Sequence, residues 1–560
     1  MPRKKHVKDE YEKQLQLFHK SSARHVLVVE ADMSEEMKRR AFGLADKLRI
    51  CGNKLTAKME ASMDQLFRTK KYRALRKNYK RLSAYLEQHE GDKKAEAALK
   101  AVTAEMSAMQ KAYHVTWDDA RKYMMYLKDQ AGVSSVFALT RAEDIWSGVE
   151  KVLFGKAKKL HFKKRGDLPE IRAKQNYSGL RLSLDKGNLC FKCSGVGKEA
   201  FCAKSLDKFQ QSEVASIVKY MNNPKANDRY AITAMKTTGK IVDTFRPCYA
   251  SLVCKEIRGK LRVFIHITIE GKAHQQFKAD GVTPRHTYGT GRVGIDIGTQ
   301  TIAYTSDKEV GLKNLSERGM TISHAERQER LLRRKMDRSR RATNPDNYNE
   351  DGTIKKGRKK WVKSHRYKKL QMAFRELCRK NAESRSLAIK EEVNHIRSLG
   401  NVVITEPPNF KALQKRAKPE EKTAADGSAP QKNKRRKRFG KSLRSRCPGT
   451  FQADLKSKFE VTGGSYHEVD RMFRASQYEH TTGEYIKKKL SQRMFTLTHG
   501  PLVQRDWYSS FLLYNAAADF SAPNRASCLA TFDRMHKASI DMIDNIKKAG
   551  IHVLNSGIRS

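Results

Sequence analysis

Three acidic residues beside short apolar runs constrain the fold of this chain more than any other feature. Asp296 lies in RVGIDIGTQTIAY, Glu406 follows the apolar run of NVVITEPPNF, and Asp506 begins the pattern RDWYSSFLLYN. The first run turns at Gly298 and resumes, which predicts a β-hairpin with the carboxylate on its first strand. Glu406 closes a short buried strand that two prolines end, and Asp506 opens a segment with helical spacing of its apolar residues.

Carboxylates at strand ends and at a helix start can converge on one site. Oxygen ligands of this kind bind hard cations such as Mg²⁺. Two such cations about 3.5–4 Å apart are suited to in-line phosphodiester hydrolysis. An acid between two isoleucines also points to a cation, because burying Asp296 alone would cost several kcal/mol. The three acids therefore predict a metal-dependent phosphodiesterase site.

The order of these motifs resembles the RuvC-type nuclease domain of the TnpB transposon proteins and the type V CRISPR single-protein effectors. The matching residues are Asp296 in a G-I-D-x-G strand, Glu406 with Asn409 after it, and the pair Arg505 and Asp506 at a helix start. The resemblance implies an RNA-guided DNA endonuclease in which the three acids are catalytic and hold two Mg²⁺ ions. It implies a guide RNA and a double-stranded DNA target as partners. Where the family has Glu-Asp-Leu-Asn, this chain has Glu-Pro-Pro-Asn, which keeps the acid.

The predicted fold is α+β and multidomain. Helix formers with apolar residues every three to four positions predict helices over about 34–154. Alternating apolar and polar residues broken by glycines predict strands over about 160–290. One strand before the helices and several after them predict a β-barrel with an inserted helical domain. The resemblance identifies these as wedge and recognition domains, followed by a split RNase H-like (RuvC) nuclease domain.

The predicted boundaries divide the chain into eight segments. They are 1–32 (basic segment and first wedge strand), 33–158 (helical recognition domain), 159–290 (wedge β-barrel), 291–412 (first RuvC part with basic bridging helices), 413–450 (basic loop), 451–475 (RuvC continuation), 476–503 (degenerate zinc-ribbon-like insert, which the resemblance implies binds target nucleic acid) and 504–560 (last RuvC motif and helical tail).

The composition is strongly basic, with 114 Lys and Arg against 61 Asp and Glu and a formal net charge of +53. A surplus of this size predicts a nucleic-acid partner, because phosphates would offset the self-repulsion of the chain. A helical run from Arg327 to Arg341 and the basic loop are the densest segments. The predicted phosphate-binding residues are Arg327, Arg330, Arg333, Arg334, Arg338, Lys434, Arg435 and Arg436.

No apolar run approaches the ~18 residues that span a bilayer, and the N-terminal segment has no apolar region typical of a secretory signal. The nine cysteines are scattered and do not form a disulfide pattern. We therefore expect no membrane partner and a reducing bacterial cytoplasm, in association with the nucleoid. The sequence does not indicate an oligomeric state.

The resembled family carries a four-cysteine zinc ribbon just before the third acid. Here the corresponding positions hold Glu479, Thr482, Thr496 and His499. Tetrahedral zinc cannot be built from these side chains, so we predict no zinc. The one CxxC pair, Cys190 and Cys193 with Cys202 nearby, lies in an alternating strand, where positions i and i+3 face opposite sides. We interpret these cysteines as incidental core and surface residues.

Two alternatives remain open. The chain could be an RNA-guided DNA-binding protein with weak or lost cleavage, since the absent zinc ligands and the two prolines after Glu406 alter the motif. The segment GIDIGTQT also resembles the first phosphate-binding hairpin of the actin-like ATPases. Those proteins need a second glycine-rich phosphate loop, which this sequence lacks.

Overall fold

The computed structural model describes residues 10–89, 91–176, 178–186, 188–239, 242–278, 280–407, 409–414, 421–422, 431–432, 439–489 and 491–558. The chain divides into two compact units, Met1–His274 and Gln275–Ser560. Its fold class is mixed α and β. The eight finer boundaries stay predictions. Within the described ranges, no helix has the length and apolar character needed to cross a membrane.

The first unit combines strands and helices along its whole length. Its described strands are β1 (Arg24–Glu30), β2 (Ile171–Arg172), β3 (Leu180–Asp185), β4 (Asn188–Cys193), β5 (Phe201–Cys202), β6 (Pro247–Ile257) and β7 (Lys260–Glu270). Its described helices are α1 (Glu10–Ser21), α2 (Glu35–Arg68), α3 (Lys70–Leu86), α4 (Lys93–Ala112), α5 (Trp117–Ala131), α6 (Ser135–Leu153), α7 (Lys208–Asn222) and α8 (Pro224–Thr238).

The strands of the first unit form two open antiparallel sheets, with orders β1-β7-β6-β2 and β3-β4-β5. The predicted closed β-barrel is therefore wrong for the described residues. A barrel needs an unbroken ring of paired strands, whereas β2 and β5 are only two residues long. An isolated bridge between Ala31 and Ala203 joins the ends of β1 and β5.

Helices α2 to α6 confirm the predicted helical region. Helix α2 serves two cores, because Leu44 and Leu48 pack in the sheet core while Leu55 and Met59 pack in a helical core. The prediction missed α7 and α8, which interrupt the strand region, and α1, which precedes β1. The signals were present for α7, where Asp207 forms a capping box with the third helical residue.

The second unit has one principal sheet and several shorter strand pairs. Its described strands are β8 (Arg292–Ile297), β9 (Thr301–Ser306), β10 (Val310–Asn314), β11 (Val402–Thr405), β12 (Glu421–Lys422), β13 (Gln431–Lys432), β14 (Ser465–Glu468), β15 (Tyr478–Glu479), β16 (Glu484–Tyr485), β17 (Met494–Thr496) and β18 (Leu502–Gln504). Its described α-helices are α9 (Ile322–Thr343), α10 (His365–Leu399), α11 (Phe410–Leu413), α12 (Gly440–Arg446), α13 (Pro448–Val461), α14 (Arg505–Tyr514) and α15 (Arg525–Lys548).

The principal sheet has the order β10-β9-β8-β11-β14. Strands β8, β9 and β10 are antiparallel, and β11 lies parallel to both β8 and β14. Helices α10 and α13 supply residues to the core on one face, whereas α14 and α15 supply the core on the other. Helices α9 and α10 are inserted between β10 and β11, so the sheet is assembled from distant parts of the chain.

The structure gives the secondary structure of two further segments of this unit. The basic helices expected within 291–412 correspond to α9 and α10, and the Ser364 hydroxyl caps the first turn of α10. The segment predicted as a degenerate zinc ribbon consists of two small hairpins, β15–β16 and β17–β18.

Candidate active site at the end of strands β8 and β11

Strand β8 carries Asp296 on the face of the sheet that α14 covers. Side chains alternate along a strand, so Val293 and Ile295 enter the core beneath α10 while Gly294 and Asp296 face the opposite way. At Gly294 a methyl group would lie 2.8 Å from the Cα of Tyr514 and closer still to the backbone oxygen of Ser510. The absent side chain at Gly294 therefore lets α14 lie directly on β8, one pleat from Asp296.

Glu406 follows β11 in the register that places it beside Asp296. Thr405 of β11 pairs with Ile295 of β8 in a parallel arrangement, and one further residue on each chain gives Glu406 and Asp296. The Glu406 carboxylate accepts a hydrogen bond from the backbone N–H of Ala475 at 2.9 Å. The strand prediction is confirmed, with Glu406 just outside β11.

Asp506 is the second residue of α14, as the helical spacing predicts. The Gln504 side chain caps this helix by accepting from the Trp507 backbone N–H at 2.7 Å. A carboxylate in the first turn is stabilised by the helix dipole. Arg493 lies 3.6 Å from the Asp506 carboxylate, measured from Nη1 to Oδ1. Only 17% of the Asp506 side chain is exposed.

Asp296 and Asp506 line one cavity of about 70 Å³. Gln300, Arg493 and Asn555 also line it. Glu406 does not line this cavity. Among the described residues, no group of three His, Cys, Asp or Glu side chains could hold a metal ion. The structure therefore brings two of the predicted acids together, with the third held by a backbone amide at the neighbouring strand position.

Electrostatics link all three acids. Burial raises the pKa of Asp296 well above its usual range, and the charges of Asp506 and Glu406 raise it further. Burial also raises the pKa of Asp506, against the opposing effect of Arg493. The pKa of Glu406 is raised by burial too, despite the hydrogen bond from Ala475. The raised pKa values mean that the ionised form of each carboxyl is disfavoured in this site. A bound cation would stabilise that ionised form.

Helix α9 carries five of the arginines predicted to bind phosphate, and all five are exposed. Arg333 lies 4.0 Å from Glu329 and stacks over the ring of Phe374 on α10. The others share one face of the helix and form no ion pair within the described ranges. This solvent-facing stripe consists of Arg327, Arg330, Arg334 and Arg338.

Several site residues were not predicted from the sequence. Arg493 and Asn555 line the acid cavity from positions outside any motif, and Gln300 lines it from the turn that follows Asp296. The basic-loop residues Lys434, Arg435 and Arg436 lie outside the described residues.

Glu479 stands at a predicted zinc-ligand position, where it is 2% exposed. Its carboxylate lies 3.2 Å from the Lys488 ammonium and accepts from the Thr498 backbone N–H at 3.1 Å. Thr496 and His499 are exposed. A buried ion pair between the two hairpins therefore occupies this part of the insert.

The CxxC pair lies in the extended strand β4, with Cys190 and Cys193 both buried. Cys190 is directly opposite Cys202 of β5.

No protein family model matches the chain. No curated protein matches it either. Among solved structures, it is similar to a Cas12i1 R-loop complex before target DNA cleavage, with 10% identity and a TM-score of 0.24. That match covers 79% of this chain and 57% of the other. A Cas12i1 R-loop complex after target DNA cleavage gives 10% identity, a TM-score of 0.22, and coverage of 75% and 53%. The chain thus spans little more than half the length of these structures, and a likeness of this size establishes no shared activity.

Proposed function

We propose that this protein is an RNA-guided DNA endonuclease that hydrolyses phosphodiester bonds at Asp296, Glu406 and Asp506. The observation that supports it most directly is the shared cavity of Asp296 and Asp506 beside Glu406, with the pKa of all three acids raised. The five-stranded mixed sheet with long insertions is compatible with a split RNase H-like domain.

The donor chemistry of the site fits Mg²⁺, because all three predicted ligands are carboxylates. Asp296 would be the shared ligand, with Glu406 and Asp506 completing the set. The Ala475 amide occupies one oxygen of Glu406, so Glu406 would join the other two through its second oxygen or after release of that amide. Bound Mg²⁺ would supply an activated water and would stabilise the leaving 3′ oxygen.

The remaining residues of the site would bind the substrate phosphate and hold the acids in position. Arg493 lies beside the two aspartates, where its guanidinium can form bidentate hydrogen bonds with an incoming phosphate. The short turn from β8 to β9, closed by a 2.9 Å hydrogen bond from Gly298 N–H to the Thr301 carbonyl, fixes the strand that carries Asp296.

Basic surfaces outside the cavity would hold the nucleic acids. The solvent-facing stripe of α9 supplies guanidinium groups at helical spacing, suited to successive phosphates of a strand or duplex. In this proposal the guide RNA supplies sequence specificity by pairing, and the protein binds backbones.

The test begins with purification of the protein with its co-purifying RNA, which is sequenced. The RNA-bound protein is then given plasmid carrying the matching target, with Mg²⁺ or with EDTA. We expect RNA of fixed ends and Mg²⁺-dependent cleavage that Asp296→Ala abolishes. Asp541→Ala is the matched control, because Asp541 is exposed on α15 and does not line the acid cavity.

A binding-only role is the second candidate, favoured by the hydrogen bond that holds Glu406 away from the cavity. Fixed-end RNA with target binding, and no cleavage by the unmodified protein, would support it. RNA of random sequence would contradict the guided mechanism altogether. Cleavage that survives Asp296→Ala would contradict the assigned acids.

A further inference from the structure

A larger cavity of about 630 Å³ adjoins the acid cavity in the second unit. The two cavities share Gln300 as a wall residue. Its side-chain N–H donates to the Ser442 hydroxyl at 2.7 Å, on the side of the larger cavity. Its side-chain carbonyl accepts from Asn555 at 2.6 Å, on the side of the acids. The amide of Gln300 is therefore a hydrogen-bonded partition between the two spaces.

The charges that line the larger cavity cancel one another. Arg446 pairs with Glu317 at 2.8 Å, and Lys441 pairs with Glu326 at 2.8 Å. These four are all of the Lys, Arg, Asp and Glu residues in its lining. With each cation already paired, the cavity offers little to a phosphate group, and its ligand should be uncharged.

The remaining lining suits a flat group with apolar faces and polar edges. Ile322, Ile551 and Leu554 supply apolar surface, while Ser323 and Ser442 supply hydroxyl groups. The volume falls within the range of about 300–1,000 Å³ that is usual for small-ligand sites. A nucleobase has this combination of faces and edges.

The small acid cavity explains why a base would need a separate site. At about 70 Å³ it has room for part of a phosphodiester but not for a nucleotide. A strand whose backbone reaches Asp296 and Asp506 must place its adjoining base elsewhere. Enzymes that do chemistry on a base hold it in a pocket outside the stack, so a protein cavity can accommodate an unstacked base.

We propose that the larger cavity binds an unstacked nucleobase of the DNA strand whose phosphodiester reaches the acids. This inference rests on the proposed function, because it names the form in which the substrate is held. The inference requires the DNA to be single-stranded where its base enters the larger cavity.

The experiment uses the RNA-bound protein in EDTA, so that binding is measured without cleavage. The probes are single-stranded DNA oligonucleotides with 2-aminopurine at one position in turn, whose fluorescence rises when the base leaves the stack. Ser323→Phe fills the cavity from the α9 wall, and Ile551→Phe fills it from the opposite wall. Both native residues are exposed, so the fold should tolerate the changes. His324→Phe is the matched control, since His324 is exposed on α9 but does not line the cavity.

We expect fluorescence to rise about twofold or more at one or two adjacent positions with the unmodified protein and with His324→Phe. Both filling variants should lose that rise, while the Kd from anisotropy changes by no more than about twofold, because phosphate contacts dominate affinity.

An unchanged rise in both filling variants would overturn the inference, as would strand binding with no rise at any position. A normal rise from a protein that never cleaves DNA would overturn the proposed cleavage and leave the base site standing.

Discussion

Gly294 shows how a single residue can position the candidate site. Its missing side chain allows the backbone of α14 to lie on β8, and α14 in turn carries Asp506 toward Asp296. A methyl group there meets the main chain rather than a flexible side chain, so neither element can yield without moving an acid.

Gly294→Ala should therefore destabilise the fold by about 1–3 kcal/mol or more through overpacking and should sharply reduce any cleavage. Gly43→Ala is the matched control, because Gly43 lies exposed in α2 with nothing within 4 Å of the added methyl. That change should stabilise the protein by about 0.5–1 kcal/mol. Thermal unfolding of both variants measures the contrast, and a Gly294→Ala protein as stable as the parent would contradict the packing argument.

The sequence predicted the local setting of each acid, because a strand, a strand end and a helix start are set by neighbouring residues. It could not predict that the Ala475 amide holds Glu406 or that Arg493 approaches Asp506. The first contact joins residues 69 positions apart and the second forms across the β17–β18 hairpin, and single residues without a periodic pattern leave no signal. The shared cavity is likewise a product of packing.

Among the elements, the hairpins before α14 depend on a buried ion pair. Glu479 and Lys488 are both largely inaccessible, with side-chain exposures of 3% and 7%. Burial raises the pKa of Glu479, but the Thr498 amide and the Lys488 charge outweigh it and the net pKa is lowered. The pKa of Lys488 is lowered by its own burial. For Glu479 its partners outweigh burial, whereas for Lys488 burial outweighs the pairing with Glu479. Both groups are therefore desolvated, and the Glu479 carboxylate depends on its cation.

Lys488→Met should cost about 3–5 kcal/mol, because it leaves the Glu479 carboxylate buried without its cation. The double variant Glu479→Gln with Lys488→Met should be markedly more stable than the single variant. Chemical denaturation of four proteins, the parent, each single variant and the double variant, completes this cycle. Additive effects of the two substitutions would show that the pair is not coupled.

The helix prediction succeeded where one periodicity ran through a long segment, and it missed α7 and α8, which lie within a region dominated by strand alternation. The helical region α2 to α6 follows from its regular apolar spacing. The β-barrel prediction was wrong because alternation identifies strands but does not show which strands pair with each other or whether the sheet closes. Strand pairing is decided by contacts across the chain, and two-residue strands such as β2 are too short to register as a pattern.

At the scale of the whole molecule, the charge of +53 makes nucleic-acid binding strongly dependent on salt. The solvent-facing stripe of α9 is one part of this surface that the structure defines. Arg333 lies on the same helix but contacts Glu329 and Phe374 instead. Sequence alone could not separate it from its neighbours, since all five arginines fall within one basic run.

The double variant Arg330→Gln with Arg334→Gln should weaken binding to a DNA duplex. It should also reduce the slope of log K against log salt by about 0.9 for each lost phosphate contact. Arg333→Gln is the control and should change the slope much less. Fluorescence anisotropy over a salt series gives both slopes, and equal reductions in the two proteins would contradict the assignment of the stripe.

The interleaved order of the principal sheet has a consequence during protein synthesis. Strand β8 leaves the ribosome first, and β11 and α14 follow only after the long insertions have been translated. At usual elongation rates the interval between Asp296 and Asp506 is on the order of ten seconds or more. A nascent or prematurely terminated chain that ends before α14 lacks the third acid and the helix that covers the sheet. Until α14 has been made, the growing chain therefore cannot assemble the carboxylate site.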